Sequence, residues 1–131
     1  MLPACSSSNP TGASGNAPQL TTVNGSFANG RVTVTVDAAS PLNSVGGAAL
    51  VQSSVGNFLV SRASQDTFVA LTAVCTHEQC TVTGFQNSQY VCPCHGSQYS
   101  TSGAVTMGPA TRALQQFSTQ FSTPTLTITT T

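Results

Sequence analysis

The chain has no lysine, and its 131 residues carry only three arginines, Arg31, Arg62 and Arg112, against three acids, Asp37, Asp66 and Glu78. With 5% charged residues and a formal net charge of zero, no basic patch exists to grip a phosphate backbone, which excludes nucleic acid as a partner. The same scarcity excludes docking steered by long-range charge. No apolar run approaches the roughly 18 residues that a membrane-spanning helix needs. No stretch of about ten residues repeats its apolar positions at helical spacing either, so any helix is expected to be a single short turn.

Hydroxyl groups take the place of charge, with 17 serines and 20 threonines keeping the surface polar. Compositional drift accounts for this simply; the sharper reading is an acidic extracytoplasmic setting, where so few carboxylates leave little stability to lose on acidification. The 39% apolar content is enough for one domain with a modest core.

Residues 1–22 read as a tether, because the Ser, Gly, Asn, Pro and Ala that dominate them cannot bury enough surface to fold. Leu2-Pro3-Ala4-Cys5 resembles the end of a bacterial lipobox, which makes Cys5 the expected lipidation site and a lipid anchor the expected membrane attachment. A plain cysteine in a tail is the simpler alternative. Asn24-Gly25-Ser26 fits a glycosylation sequon and serves equally well as a turn.

From residue 23 to 131 the pattern is β. Arg31 to Asp37 alternates strictly after Asn29-Gly30, the strongest short hairpin signal. Further strands are expected at Ala48–Gln52, Asn57–Ser61, Thr67–Val74, Thr81–Phe85 and Gln89–Val91. A last pair is expected at Arg112–Ser118 and Thr125–Thr129, separated by Pro124. The expected fold is all-β, an antiparallel sandwich or barrel-like base.

Both histidines and four of the five cysteines fall between Cys75 and Tyr99. Cys75-Thr76-His77-Glu78-Gln79-Cys80 is followed, after a short connection, by Cys92-Pro93-Cys94-His95-Gly96-Ser97-Gln98-Tyr99. Two loops folded face to face would offer a thiolate and an imidazole each, Cys75 with His77 and Cys92 with His95. Such a set suits zinc or an iron–sulfur centre. Cys80 and Cys94 are then left to pin the loops together, although four cysteines allow three pairings. With both histidines committed, no Ser-His-Asp or paired-carboxylate set remains, and nothing reads as a catalytic centre in isolation.

The two boxes resemble those of the Rieske iron–sulfur proteins, Cys-x-His-x-Gly-Cys and Cys-Pro-Cys-His-Gly-Ser. The resemblance covers about residues 67 to 115. It implies that Cys75 and Cys92 ligate one iron of a 2Fe-2S cluster, that His77 and His95 ligate the other, and that Cys80 and Cys94 form a disulfide. Ser97 and Tyr99 match the hydroxyl donors that tune high-potential members. Gly108-Pro109-Ala110 resembles the Pro loop that shields the cluster, and residues 75–99 occupy the place of the small cluster-binding subdomain inserted in the base. Gln79 departs from the family's glycine, and Glu78 puts a carboxylate where quinol-oxidising members commonly have leucine.

The function implied is one-electron transfer. Two neutral imidazoles in place of two thiolates remove negative charge, which moves the potential from about −400 mV into a range of roughly −150 to +300 mV. Reduction should also raise the proton affinity of His77 or His95, coupling electron to proton. The expected setting is a quinol-oxidising or related periplasmic chain, in which the protein is either the iron–sulfur subunit of a quinol–cytochrome c oxidoreductase-like complex, with cytochrome b or c type partners and quinol, or a free periplasmic carrier of related chemistry. Within redox proteins the alternative is a ferredoxin-like donor to an oxygenase or the small subunit of a molybdenum oxidase. Outside them it is a zinc-stapled binding module.

Overall fold

The computed structural model describes residues 17–75, 80–94 and 96–130. Cys5, His77, Glu78, Gln79 and His95 lie outside the described residues.

An eight-stranded sheet forms the base. It is built from β1 (Thr22–Asn24), β2 (Ser26–Ala28), β3 (Arg31–Thr35), β4 (Ala48–Ser53), β5 (Gly56–Ser64), β6 (Thr67–Thr72), β11 (Gln116–Ser122) and β12 (Thr125–Thr129), ordered β1-β4-β5-β6-β11-β12-β3-β2. The two edge strands, β1 and β2, are consecutive in the chain, so the sheet curls round until its edges meet at Gly25. A Cβ on Gly25 would lie 2.6 Å from Val32 Cγ1 and 3.0 Å from Val51 Cγ1, which leaves room for glycine alone at this corner. The result is a near-barrel whose interior holds Val32, Val34, Ala49, Val51, Phe58, Val60, Phe68, Ala70, Leu126 and Ile128.

A second sheet packs outside the first. It contains β7 (Gly84–Gln86), β8 (Gln89–Val91), β9 (Gln98–Ser100) and β10 (Val105–Met107) in the order β10-β9-β8-β7. Its apolar face covers the outer side of β4, β5 and β6, where Leu50, Leu59, Leu71 and Ala73 meet Val82, Tyr90, Tyr99 and Leu114. The strand sequences carry this difference. β3 and β12 have one wet face, and their buried residues alternate with exposed or half-buried ones. β5 is buried on both faces from Phe58 to Arg62 and reads as a continuous apolar run broken only by Ser61 and Arg62.

Several expectations are corrected. The pairing is not wholly antiparallel, since β1 runs parallel to β4. The first strand of the last pair, β11, begins at Gln116, not Arg112, and it pairs with β6 as well as β12. The strand expected over Thr81–Phe85 is displaced to Gly84–Gln86, leaving Val74 and Thr81 in a single bridge. Strands β1, β2, β9 and β10 were not legible in the sequence, being three residues each. The tether expected to reach residue 22 gives way earlier to packed chain: the Leu20 amide donates to the Thr83 carbonyl at 2.8 Å, and Phe85 donates to Pro18 at 2.9 Å. The small sheet also extends past the expected limit of residue 99, to Met107. Among the described residues the one helical element is a 3-10 turn, Pro41–Asn43.

Buried charge in the base is met by carbonyls and rings. Arg62 is buried, and its guanidinium donates to the carbonyls of Leu42, Asn43 and Gln65. It also lies 5.0 Å from the Phe68 ring centroid and 5.2 Å from that of Phe121.

Candidate metal centre

Two hairpin tips meet at one end of the small sheet. In the first, the Cys75 amide donates to the Cys80 carbonyl at 2.8 Å and the Val82 amide to the Ala73 carbonyl at 2.7 Å. These bonds and the Val74–Thr81 bridge clasp both ends of the loop 75–80. In the second, the Cys92 amide donates to Ser97 at 2.8 Å and the Gly96 amide to Cys92 at 3.0 Å. Gly96 sits at φ +78°, a left-handed turn that a side chain rarely tolerates, and this lets the chain double back within five residues.

A disulfide joins the tips. Cys80 and Cys94, with Cα atoms 6.5 Å apart, hold the first loop against the second. Cys94 is exposed and Cys80 half-buried, so this link lies on the outer side of the tips. Cys75 and Cys92, which take no part in it, are both buried. One thiol therefore stands at the start of each loop, shielded from water and kept out of the disulfide. That is the sulfur half of the expected ligand set, and it fits a thiolate-bound metal centre. The imidazole half, His77 and His95, lies outside the described residues.

Tyr99 is wholly buried, and its hydroxyl lies 3.2 Å from the Cys75 sulfur. Ser97 is also wholly buried, and its hydroxyl accepts a hydrogen bond from the Ala110 amide at 3.0 Å. The two expected hydroxyl residues thus sit at different places: Tyr99 at the Cys75 sulfur, Ser97 at the loop Gly108-Pro109-Ala110. In that loop Gly108 and Pro109 are exposed, Ala110 is buried with the cysteines, and the Gly108–Pro109 peptide is cis.

Two buried residues at this site were missed in the sequence. Tyr90 lies directly opposite Tyr99 in the β8–β9 ladder, and Ser61 projects from the base strand β5. Burial pushes the Tyr90 phenol above its usual range, and the neighbouring Ser61 hydroxyl opposes part of that push. The Tyr90 ring packs on Phe85, with centroids 5.1 Å apart. The only signal in the sequence was the alternation that puts Tyr90 on the same strand face as Cys92, and it named no partner.

The Rieske [2Fe-2S] domain model matches residues 33–118. Among curated proteins, the cytochrome b6-f complex iron-sulfur subunit of Prochlorococcus marinus (strain NATL1A) is 39% identical over 74 residues, which is 53% of this chain and 42% of that protein. The chloroplastic cytochrome b6-f complex iron-sulfur subunit of Pisum sativum is 50% identical over 46 residues, covering 34% of this chain and 20% of the relative. The chain thus spans less than half the length of these relatives. Among solved structures, the plasma membrane Rieske protein PetC3 from Synechocystis PCC 6803 matches with a TM-score of 0.60 and 30% identity, over 72% of this chain and 97% of that one. The cofactor these findings imply is a Rieske-type 2Fe-2S cluster, which leaves the zinc reading without support.

Proposed function

This chain belongs to the Rieske [2Fe-2S] domain family and is an iron–sulfur electron carrier related to cytochrome b6-f subunits, and on that premise we propose that it is a high-potential, proton-coupled member serving a quinol-oxidising chain on the outer side of a bacterial membrane. The observation that carries this reading is the Tyr99 hydroxyl, 3.2 Å from the buried sulfur of Cys75. A donor to a ligand sulfur favours the electron-rich state, so it raises the potential.

Cys75 and Cys92 would hold one iron and His77 and His95 the other; the bound cluster supplies one-electron transfer within roughly −150 to +300 mV. The chain's own residues do the rest. Burial of both thiols keeps water from the sulfurs, and the Cys80–Cys94 disulfide holds the two loops in register. With negative charge added beside them, His77 and His95 would bind a proton more readily, so that electron and proton uptake would be coupled.

The setting follows from the same features. A disulfide persists in an oxidising compartment, which supports an extracytoplasmic location. Among the described residues no helix is long and apolar enough to cross a membrane, and Cys5 is the proposed lipid anchor. With three positive and three negative side chains, docking to cytochrome b or c type partners rests on shape and local contact, and quinol is the proposed source of electrons. In isolation the protein carries electrons and completes no reaction.

A redox titration of the purified holoprotein, followed by paramagnetic resonance at several pH values, tests this. The expected result is a potential in the upper half of the range that falls with rising pH. A potential near its lower end, flat between about pH 6 and 10, would assign the protein to the oxygenase-donor class instead.

A further inference from the structure

Ser61 and Tyr90 carry the two buried side-chain polar atoms that lack a hydrogen-bond partner among the described residues. Tyr90 is wholly buried and Ser61 nearly so. Their hydroxyls come from opposite sides of one interface: Ser61 from base strand β5, Tyr90 from strand β8 of the small sheet. Both side chains belong to that interface: Ser61 leaves the same side of β5 as Leu59, and Leu59 packs in the cluster that holds Tyr90. A buried hydroxyl left without a partner is destabilising, and such a group in a native protein calls for a partner or a bound water. Phenylalanine and alanine would fill these positions without that cost.

What the pair can do follows from register. Tyr90 and Tyr99 are directly opposed in an antiparallel ladder, so their side chains leave the same face of the small sheet side by side. Phe85 packs on Tyr90. Tyr90 thus stands as a wall beside the ring whose hydroxyl meets the Cys75 sulfur. A wall that can rotate lets the Tyr99 ring swing; a wall tied to the base does not.

We propose that Ser61 and Tyr90 are a positioning pair: their hydroxyls close on each other, directly or through one enclosed water, and so lock the ring that holds Tyr99 on Cys75. The proposal rests on the reading of Tyr99 as a tuning residue. It links the electron affinity of the centre to a residue on the base, across the interface between the two sheets.

The test is the midpoint potential of the holoprotein in wild type, Tyr99→Phe, Tyr90→Phe, Ser61→Ala and the Tyr90→Phe/Ser61→Ala double variant. Tyr99→Phe sets the scale. Each of the other single changes is expected to weaken electron affinity in the same direction, by about twofold to threefold, the low end of what one hydrogen bond contributes. The double variant should show no more than the larger single effect. If Tyr99→Phe shifts the potential and neither Tyr90→Phe nor Ser61→Ala does, the pair has no positioning role and the tuning reading stands. Additive single effects would equally overturn the pair. If Tyr99→Phe itself shifts nothing, the tuning reading falls first. A loss of stability alone, with every potential unchanged, marks the hydroxyls as packing groups and overturns the proposal.

Discussion

The hydroxyl of Tyr99 and the sulfur of Cys75 are 3.2 Å apart although 24 residues separate them in the chain, and both side chains are buried. The contact couples a strand of the small sheet to the first loop. Tyr99→Phe keeps the ring and removes only the hydroxyl. The expected result is a potential lower by roughly 30 to 60 mV, given about 59 mV for each tenfold change in a one-electron equilibrium. An unchanged potential in a redox titration would remove Tyr99 from the tuning set.

The disulfide closes a segment of the chain with a sequence separation of 14 between Cys80 and Cys94. Loop-closure entropy for a ring of that size is worth about 3 kcal/mol. The Cys80→Ala/Cys94→Ala double variant should therefore unfold at lower urea and lose visible absorbance faster than wild type. Equal bleaching rates would show that the backbone clasps at Cys75–Cys80 and Cys92–Ser97 hold the tips unaided.

Arg62 serves the base and not the centre. Its planar fork reaches three separate carbonyls while lying against Phe68 and Phe121, a set of contacts that a lysine ammonium cannot reproduce. Arg62→Lys is expected to cost about 2 kcal/mol in a urea titration, because buried carbonyls lose charge-assisted donors. The midpoint potential should stay at its wild-type value; a shift would show that strain in the base reaches the cluster.

Alkaline stability reports on Tyr90. Its phenol pKa is raised in the folded protein by burial, so in the unfolded chain the phenol ionises first. The folded state then binds more protons, and its stability, fully present below about pH 10, falls as the pH climbs further. Tyr90→Phe should flatten that fall in urea midpoints measured between about pH 9 and 11. An identical slope in wild type and variant would contradict the burial argument.

The local patterns were informative wherever one strand face is wet. Arg31–Thr35 and Thr125–Thr129 alternate cleanly, and Asn29 with φ 53° and Gly30 with φ 76° make the turn their sequence announces. Short strands such as Gln98–Ser100 carry no such period, since three residues cannot show one and their neighbours decide the pairing. The parallel contact of Thr22–Asn24 with Leu50–Gln52 was likewise invisible, because it depends on where the sheet closes.

By itself the sequence determined the chemistry: cysteines and histidines in two boxes whose composition suits only a few metal centres. The tertiary structure decided which atom each hydroxyl meets, and it alone brought Tyr90 and Ser61 to the same interface. Tyr99 meets Cys75, Ser97 meets Ala110, and Tyr90 shares an interface with Ser61 because sheet register and the packing of one sheet on another bring distant residues together. Ligand identity is local and written in residue type; the second ring of contacts depends on long-range pairing, which no short window of sequence contains.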